Sequence, residues 1–404
     1  MRICVLGADG YLGWPTAMHF AARGHDVLAV DSCVKRRLEA DLQVFPLQDV
    51  PDFEHRANDW HKLGGREMRT LRGDIYAEAA LMSDICKNFQ PDAIVHYAEQ
   101  PSAPYSMIDR EAAAFTQANN VIGTLNVIFV MHEHVPAAHL IKLGTMGEYG
   151  TPNIDVEEGW IQITHKGRSD RMVFPKRPPS YYHCSKVHDS TNLEFACRSW
   201  DLRVTDLNQG VVYGIETDEM ALDPERLRTS FHYDDVFGTV LNRFVVQAVV
   251  GVPLTVYGAG GQTRGYLNIK DTLQCVELAA LYPARTGEFR VFNQFTESFS
   301  VLELAERVQR VTASRGMRVE IQNLANPRTE ADVHYYNPVH TALLDLGLKP
   351  NLLSDDVVDR MIDRAVAARA NVRTSSILPR LDWKHGAAEI PHDEPAEALA
   401  HDLR

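Results

Sequence analysis

The stretch MRICVLGADGYLGWPTAMHFAARGHDVLAVD, residues 1–31, decides the fold. Residues 2–6 are apolar enough to form a buried strand, and residues 12–23 carry small apolar side chains at helical spacing. Residues 27–30 then predict a second short strand. A strand, a helix and a second strand in this order form the first unit of a parallel, nucleotide-binding sheet.

The turn after the first strand predicts a pyrophosphate site. Gly7, Gly10 and Gly13 lack the side chains that would keep the backbone away from a pyrophosphate above the helix N-terminus, although a tight turn alone also explains glycines here. Asp31 ends the second strand, where a carboxylate can accept hydrogen bonds from both ribose hydroxyls and would repel a 2′-phosphate. The basic run 35–37 could instead serve such a phosphate. We predict NAD rather than NADP.

Helical stretches alternate with further strand candidates at 68–72, 93–97, 139–143 and 203–207. This alternation predicts an α/β fold of the Rossmann type, a doubly wound parallel sheet. Beyond residue 210, loops rich in Gly and Pro predict a smaller, partly discontinuous C-terminal lobe, with a strand at 254–257 and a helix at 301–314. We therefore expect three regions: an NAD-binding domain at 1–210, to which some later segments return; a mainly nucleotide-sugar-binding lobe at 211–385; and a polar tail at 386–404.

Composition excludes several classes of function. The formal net charge is −13 and the basic residues are dispersed, so nucleic acid is not an expected partner. The six cysteines form no Cys-x-x-Cys pair, which argues against a zinc site or a disulfide framework and favours a reducing compartment. No apolar run approaches the roughly 20 residues that span a bilayer, and the first strand starts at Met1. We expect a cytoplasmic protein with no metal and no membrane partner.

Tyr182 and Lys186 are four residues apart, which places a phenol and an ammonium group on one face of a helix. A free phenol has a pKa of about 10, and a nearby ammonium group together with an oxidised nicotinamide lowers it, so that tyrosinate can accept a hydroxyl proton while hydride leaves. Thr145 ends the strand candidate upstream, and its hydroxyl could share the same proton. The pattern indicates NAD-dependent oxidation of a sugar hydroxyl.

Several longer stretches resemble the UDP-sulfoquinovose synthase family, and the similarity runs from Met1 to about residue 385. The stretches that carry it are GADGYLGW (7–14), SAPYSMIDR (102–110), LGTMGEYGTPNID (143–155), YHCSKVHD (182–189), TDLNQGVVYG (205–214) and GGQTRGYL (260–267).

The resemblance implies a homodimer with tightly held NAD that takes UDP-glucose and adds sulfite at C6 to give UDP-sulfoquinovose. It implies that Thr145, Tyr182 and Lys186 carry the oxidation at C4. Asp74 is placed to meet the adenine, or else caps a helix. With the matches that the resemblance implies, the predicted cofactor-binding residues are Gly7, Asp9, Gly10, Tyr11, Gly13, Asp31, Arg36, Asp74, Ile75, Asn119, Tyr182 and Lys186. The predicted substrate-binding residues are Thr145, Gln209, Tyr257, Gln262 and Arg264.

The sequence departs from related patterns at two places. Where the family has an arginine after Glu-Gln, this chain has Pro101, which removes a basic group that could meet an anion. Where nucleotide-sugar 4,6-dehydratases have Asp-Glu after the threonine, this chain has Met146-Gly147, and neither can act as an acid or a base. We expect His183 or Glu148 to replace them as catalytic residues, unless His183 only hydrogen-bonds beside the reacting groups.

Three functions follow from these residues. The first is sulfite addition to a glucose-5-ene; the second is epimerisation or dehydration of another nucleotide sugar in a secondary-metabolite pathway, which Pro101 favours. The third is a catalytically silent NAD-binding regulator, against which the joint presence of Thr145, Tyr182 and Lys186 argues. The nucleotide base and the sugar stay open.

Overall fold

Seven parallel strands form the central sheet of the protein, of which a computed structural model describes residues 1–328, 331, 333–384 and 386–387. The strands, in chain order, are β1 (Arg2–Leu6), β2 (Asp26–Asp31), β3 (Arg69–Arg72), β4 (Ala93–His96), β5 (His139–Thr145), β6 (Trp160–His165), β7 (Arg168–Val173), β8 (Arg203–Gln209), β9 (Val211–Tyr213), β10 (Leu254–Tyr257), β11 (Thr263–Asn268), β12 (Phe289–Gln294), β13 (Glu297–Ser300), β14 (Ile321–Leu324), β15 (Leu381–Asp382) and β16 (Gly386–Ala387).

The central sheet has the order β12-β8-β5-β4-β1-β2-β3, and all of its neighbouring strands are parallel. The chain builds the sheet outward from β1 in one direction and then from β4 in the other. This change of direction defines a doubly wound sheet and leaves a crevice at the carboxyl ends of β1 and β4. The predicted fold class is confirmed.

Helices cover both faces of this sheet and also build the lobe beside it. They are α1 (Gly13–Ala22), α2 (Val34–Asp41), α3 (Phe53–Lys62), α4 (Ala79–Phe89), α5 (Arg110–Gln117), α6 (Gly123–His134), α7 (Tyr181–Trp200), α8 (Val240–Val250), α9 (Ile269–Leu281), α10 (Val301–Ser314), α11 (Ala342–Asp345) and α12 (Asp355–Ala367). A π-helical turn, Ala118–Ile122, joins α5 to α6, and a 3₁₀ turn, Met146–Tyr149, follows β5.

Strand β1 shows why the sheet is buried on both faces. Ile3 and Val5 pack into the apolar core formed with α1, α3 and α9. Cys4 and Leu6 point to the opposite face and pack with α4, α6 and α7. Because side chains alternate along a strand, an uninterrupted apolar run fills two cores at once.

A third apolar core lies outside the central sheet. It joins α8, α10 and α12 to β10 and includes the fully buried Phe244, Leu304 and Ile362. Beside it, β9, β11 and β13 form a small three-stranded sheet. These elements form the side of the cleft that faces the ends of β5 and β8.

Most predicted elements are present with bounds that shift by one or two residues, and the helix at 301–314 and the strand at 254–257 have the predicted bounds. Strand β12 was not predicted. It lies within the region assigned mainly to the second lobe, yet it pairs with β8 at the edge of the central sheet. The division at residue 210 stays a prediction, and the predicted tail lies outside the described residues from position 388 onward. Within the described part, no helix is both long enough and apolar enough to cross a membrane.

Candidate active site

A cleft of about 1840 Å³ runs along the carboxyl edge of the central sheet. Most of the predicted site residues line it: Gly7, Asp9, Gly10, Tyr11, Gly13, Asp31, Arg36, Asp74, Ile75, Asn119, Thr145, Tyr182, Gln209, Tyr257, Gln262 and Arg264. Lys186, His183 and Glu148 are not among the lining residues. Residues more than 250 positions apart in the sequence therefore meet in one groove, which is large enough for a dinucleotide and a nucleotide sugar together.

The glycine turn after β1 has the close backbone packing of a pyrophosphate cradle. Gly7 has φ of +81°, and a Cβ there would lie 2.6 Å from the carbonyl carbon of Tyr97. A Cβ at Gly13 would lie 2.0 Å from the Gly7 carbonyl oxygen. Side chains at these two positions are therefore excluded, and the backbone stays open to a phosphate at the start of α1. The turn fits the NAD pyrophosphate.

Asp31 is held at the edge of the cleft by backbone amides. One carboxylate oxygen accepts a hydrogen bond from the Asp9 amide at 2.7 Å and the other from the Cys33 amide at 2.6 Å. Burial, together with the nearby Asp9 carboxylate, raises the pKa of Asp31 to about 6. The carboxylate oxygens keep further lone pairs that can accept ribose hydroxyls, as the sequence predicted.

Two of the three basic residues at 35–37 pair with carboxylates. Arg36 donates to both carboxylate oxygens of Asp9, at 2.6 and 2.8 Å, and Lys35 pairs with Glu39. The fully buried Arg56 also binds Asp9. Arg36 and Lys35 are thus neutralised within the protein, which removes the main argument for a 2′-phosphate.

Asp74 and Asn119, two predicted NAD contacts, line the cleft. Asp74 accepts hydrogen bonds from the Tyr76 and Ala77 amides at 2.9 and 3.2 Å, so it caps its turn and borders the cleft at once. Asp74 therefore caps a turn and not a helix, since the N-cap of α4 is Glu78, and its contact with the adenine stays a prediction. The Asn119 amide, in the π-helical turn, donates to Asn120 at 3.0 Å.

Helix α7 places the tyrosine and the lysine together. Ser180 caps the helix by accepting a hydrogen bond from the His183 amide, so Tyr182 lies in the first turn and Lys186 in the next. The Lys186 ammonium lies 5.7 Å from the centre of the Tyr182 ring and donates to the Leu143 carbonyl at 2.7 Å. It also forms an ion pair with Glu99, in the loop after β4. Thr145 ends β5 beside this pair and lines the same cleft.

The protein's own groups do not lower the pKa of Tyr182. Burial and the Glu99 carboxylate raise it above its usual value, and the ammonium of Lys142 offsets only part of that. The lysine four residues on does not by itself produce the tyrosinate that the sequence argument requires. The positive charge of an oxidised nicotinamide has to supply the remaining stabilisation.

His183 fills the space above Gly147. A Cβ at Gly147 would lie 2.2 Å from His183 Nε2, and the other ring nitrogen, Nδ1, lies 2.8 Å from the Ser180 hydroxyl. Burial, and then Arg328, lowers the pKa of His183 to about 3, so the imidazole is neutral. The imidazole therefore lies where a longer side chain at position 147 would otherwise project.

Glu148 lies in a buried ion cluster and not on the cleft surface. Its carboxylate pairs with Lys176 and, at 3.7 Å, with Lys142, and it accepts a hydrogen bond from Ser190 at 3.1 Å. The two lysines outweigh burial and hold the pKa of Glu148 at about 2. A carboxylate fixed in this way is a poor proton donor.

The opposite wall of the cleft contains the predicted substrate residues. Gln209, at the end of β8, donates to Gln294 at 3.2 Å. Tyr257 accepts from Arg243 at 3.0 Å, and the Gln262 amide donates to the Tyr257 carbonyl at 3.1 Å. The Arg264 guanidinium lies 2.8 Å from the His334 ring nitrogen.

Pro101 lines the cleft between the two ends, whereas Arg110 is exposed and does not line it. Arg110 therefore does not replace the missing arginine.

The sequence analysis also missed several cleft residues. Glu99 lies in the loop after β4, which ends at this edge, so it carried a signal. The buried Arg56 interrupts the apolar face of α3 and also carried a signal, but it binds Asp9 and does not itself line the cleft. The C-terminal segment 372–383 also borders the cleft, and no pattern indicated that.

A doubly wound sheet, a glycine turn with an acidic residue at the end of β2, and a Thr–Tyr–Lys set at its carboxyl edge define an extended short-chain dehydrogenase/reductase. The model of the NAD dependent epimerase/dehydratase family matches residues 3–293. The chain belongs to this NAD-dependent family and, within it, to the UDP-sulfoquinovose synthase family.

Two curated relatives carry the second assignment. The chloroplastic UDP-sulfoquinovose synthase of Spinacia oleracea is 53% identical over 95% of this chain and 79% of that protein. The UDP-sulfoquinovose synthase of Sulfolobus acidocaldarius is 42% identical over 95% of this chain and 98% of its own length.

Solved structures agree on the fold. UDP-glucose 4-epimerase from Thermotoga maritima, crystallised with UDP-glucose, superposes with a TM-score of 0.66 at 19% identity, over 90% of this chain and 98% of that one. The Thermus thermophilus enzyme of the same name, in complex with NAD, gives 0.63 at 21% identity, over 90% and 99%.

Proposed function

We propose that the protein is a UDP-sulfoquinovose synthase that uses UDP-glucose and sulfite. The observation that carries the proposal is the pairing of a C4-oxidation set, Thr145, Tyr182 and Lys186, with His183 packed above Gly147, where a dehydratase would have its acidic side chain. The two curated relatives support the same activity.

The proposed reaction balances without a further reductant. NAD, held by the glycine turn and Asp31, would supply the hydride acceptor for C4 of the glucose and would give the hydride back at the end. The C4 ketone makes the C5 proton acidic, so that this proton and the C6 hydroxyl leave together as water. Sulfite then bonds through sulfur to C6, and a proton returns to C5. The overall change is replacement of the C6 hydroxyl by a sulfonate.

The chain's own residues handle the protons. Tyr182 accepts the proton of the C4 hydroxyl, and the Thr145 hydroxyl, at the end of β5, shares that hydrogen bond. The ammonium of Lys186 stabilises the tyrosinate and orients the nicotinamide ribose. Asp31 holds the adenosine ribose, and the glycine turn holds the pyrophosphate.

We propose His183, rather than Glu148, as the group that moves protons at C5 and C6. Its imidazole is neutral and oriented by Ser180, whereas the carboxylate of Glu148 is occupied by two lysines and a serine.

We also propose a homodimer formed through α6 and α7. Exposed apolar side chains form two stripes: Ile122, at the N-cap of α6, and Phe129 are seven residues apart, and Tyr181 and Phe195 of α7 are fourteen residues apart. Paired helices of a second copy would cover both stripes. Sedimentation of the purified protein at two concentrations tests this.

The proposed location is the cytoplasm. All six cysteines are free thiols, and five of them are buried. This suits a reducing compartment. Cell fractionation with an antibody to the protein tests the location.

A second candidate is epimerisation or dehydration of a nucleotide sugar without sulfite. Pro101 favours it, because this position brings no positive charge into the cleft. Incubating the purified protein with UDP-glucose, with and without sulfite, separates the two candidates. Mass spectrometry should detect UDP-sulfoquinovose only with sulfite; a new nucleotide sugar formed equally well without sulfite would establish the second candidate.

A further inference from the structure

Seven charged side chains are buried beneath Tyr182 in the described part of the chain. Three are lysines and four are carboxylic acids: Lys142, Lys176, Lys186, Glu99, Glu148, Asp189 and Asp206. Because burying an unpaired charge is costly, one of the four acids should hold a proton. Asp189 is that acid, since Glu99, Glu148 and Asp206 each pair with a lysine, whereas Asp189 forms no ion pair among the described residues; burial also raises the pKa of Asp189 well above its usual value.

The remaining charges pair in a definite way. Glu148 pairs with Lys176 and Lys142, and Asp206 lies 3.5 Å from Lys142. Glu99 pairs with Lys186, and the two side chains are only 2% and 4% exposed. Glu99 is therefore the ion-pair partner of the one lysine that lies next to Tyr182.

We propose that Glu99 is a positioning residue for the C4 oxidation: its carboxylate holds the Lys186 ammonium in place and cancels part of the charge that this ammonium directs at Tyr182. The inference rests on the proposed role of Tyr182 as the proton acceptor. Glu99 would thereby set the pH at which the tyrosinate forms, although it need not touch the reacting atoms.

The other charged groups do not take over this role. Those that face Tyr182, besides Glu99, are Lys142, Glu148 and Asp189. Lys142 and Glu148 pair with each other and with further groups of the cluster, and Asp189 is neutral. His96 lies 3.8 Å from Glu99, but burial lowers its pKa to about 4, so it brings no positive charge. His183, which faces Lys186, is neutral as well.

The variant Glu99→Gln keeps the shape of the side chain and removes its charge. Negative charge near a phenol raises its pKa, so removing that charge should lower the pKa of Tyr182. For a unit charge a few ångströms away in a partly polar interior, the expected shift is roughly one to two pH units. At a fixed pH below that midpoint, the tyrosinate fraction should rise about 10- to 100-fold.

The experiment is an ultraviolet titration of tyrosinate in the protein with NAD bound. Subtracting the curve of Tyr182→Phe isolates Tyr182, and the same subtraction is made in the Glu99→Gln background. We expect the Tyr182 signal to appear at a pH lower by one unit or more in that background. An unchanged midpoint would overturn the proposal. If the Gln variant does not fold, Glu99→Ala serves as the second neutral variant.

Two matched variants separate charge from structure. Glu99→Asp keeps the charge, so it should keep the wild-type midpoint. Asp189→Asn replaces a neutral buried acid by a neutral amide in the same cluster and should also leave the midpoint in place. A shift in Asp189→Asn as large as that in Glu99→Gln would refute the assignment. The titration needs no sugar, so a normal shift combined with failure of UDP-glucose to reduce bound NAD would count only against the proposed function.

Discussion

Gly147→Ala should separate the first half of the proposed reaction from the second. The added Cβ would lie 2.2 Å from Nε2 and 2.3 Å from Cδ2 of His183, whereas ordinary contact begins at 3.4 Å. The ring must therefore move by about 1 Å and strain its 2.8 Å contact with Ser180. Gly147 has no positive φ, so alanine itself is tolerated by the backbone.

A displacement of about 1 Å in a reacting group costs roughly 100-fold in rate. We expect the rate of UDP-sulfoquinovose formation, measured by mass spectrometry, to fall by about that factor. Reduction of the bound NAD by UDP-glucose, measured by nicotinamide absorbance, depends on Tyr182 and Thr145. Its rate should fall less than threefold, which is a small change because about 1.4 kcal/mol of activation free energy corresponds to a tenfold change in rate.

The matched control is Gly123→Ala, whose Cβ would meet Ile75 at 3.6 Å, an ordinary contact. This variant should behave like the wild type in both assays. Near-normal product formation by a folded Gly147→Ala protein would refute the role of His183. An equal loss in both assays would show that the substitution damages the C4 oxidation instead.

Three further experiments test which cofactor the protein binds, whether Tyr182 accepts the proton, and whether a positive charge at position 101 improves the use of sulfite. The purified protein should contain NAD, and after its removal NAD but not NADP should restore activity, because Asp31 repels a 2′-phosphate; recovery with NADP would contradict this. Tyr182→Phe should lower turnover by about 100- to 10,000-fold while the protein still binds NAD, as judged by cofactor content. Pro101→Arg should improve sulfite use by about 10- to 150-fold, measured as kcat/KM for sulfite, because it restores a charge-assisted hydrogen bond; an unchanged value would show that the cleft already supplies the needed cation.

The first half of the fold could be predicted because its signals are local. The apolar run 2–6 fills two cores, and the glycines at 7 and 13 meet backbone atoms that exclude a side chain. Strand β12 gave no such signal, since its sequence FRVFNQ mixes polar and apolar residues, and its place depends on pairing with β8, 85 residues earlier.

The parts of the site that lie on one helix could be predicted from residue spacing. Contacts between side chains from different elements could not. Tyr182 and Lys186 share a helix face by spacing alone, whereas the ion pair of Lys186 with Glu99 depends on how α7 lies beside the loop after β4. The candidates His183 and Glu148 looked equivalent in the sequence. The structure distinguishes them, because Lys142 and Lys176, which are distant in the sequence from one another, both pair with Glu148 and neither pairs with His183.

Strand β12 comes late in the sequence but completes the central sheet, so dividing the protein near residue 210 would disrupt that sheet. A fragment that stops at residue 210 would leave β8 without the neighbour that covers one of its two edges. That edge carries a row of unpaired amides and carbonyls next to buried side chains such as Val204 and Leu207, which is a template for pairing with other chains. The cofactor-binding half should therefore aggregate when it is produced alone, and a ribosome must synthesise nearly 300 residues before the sheet can close.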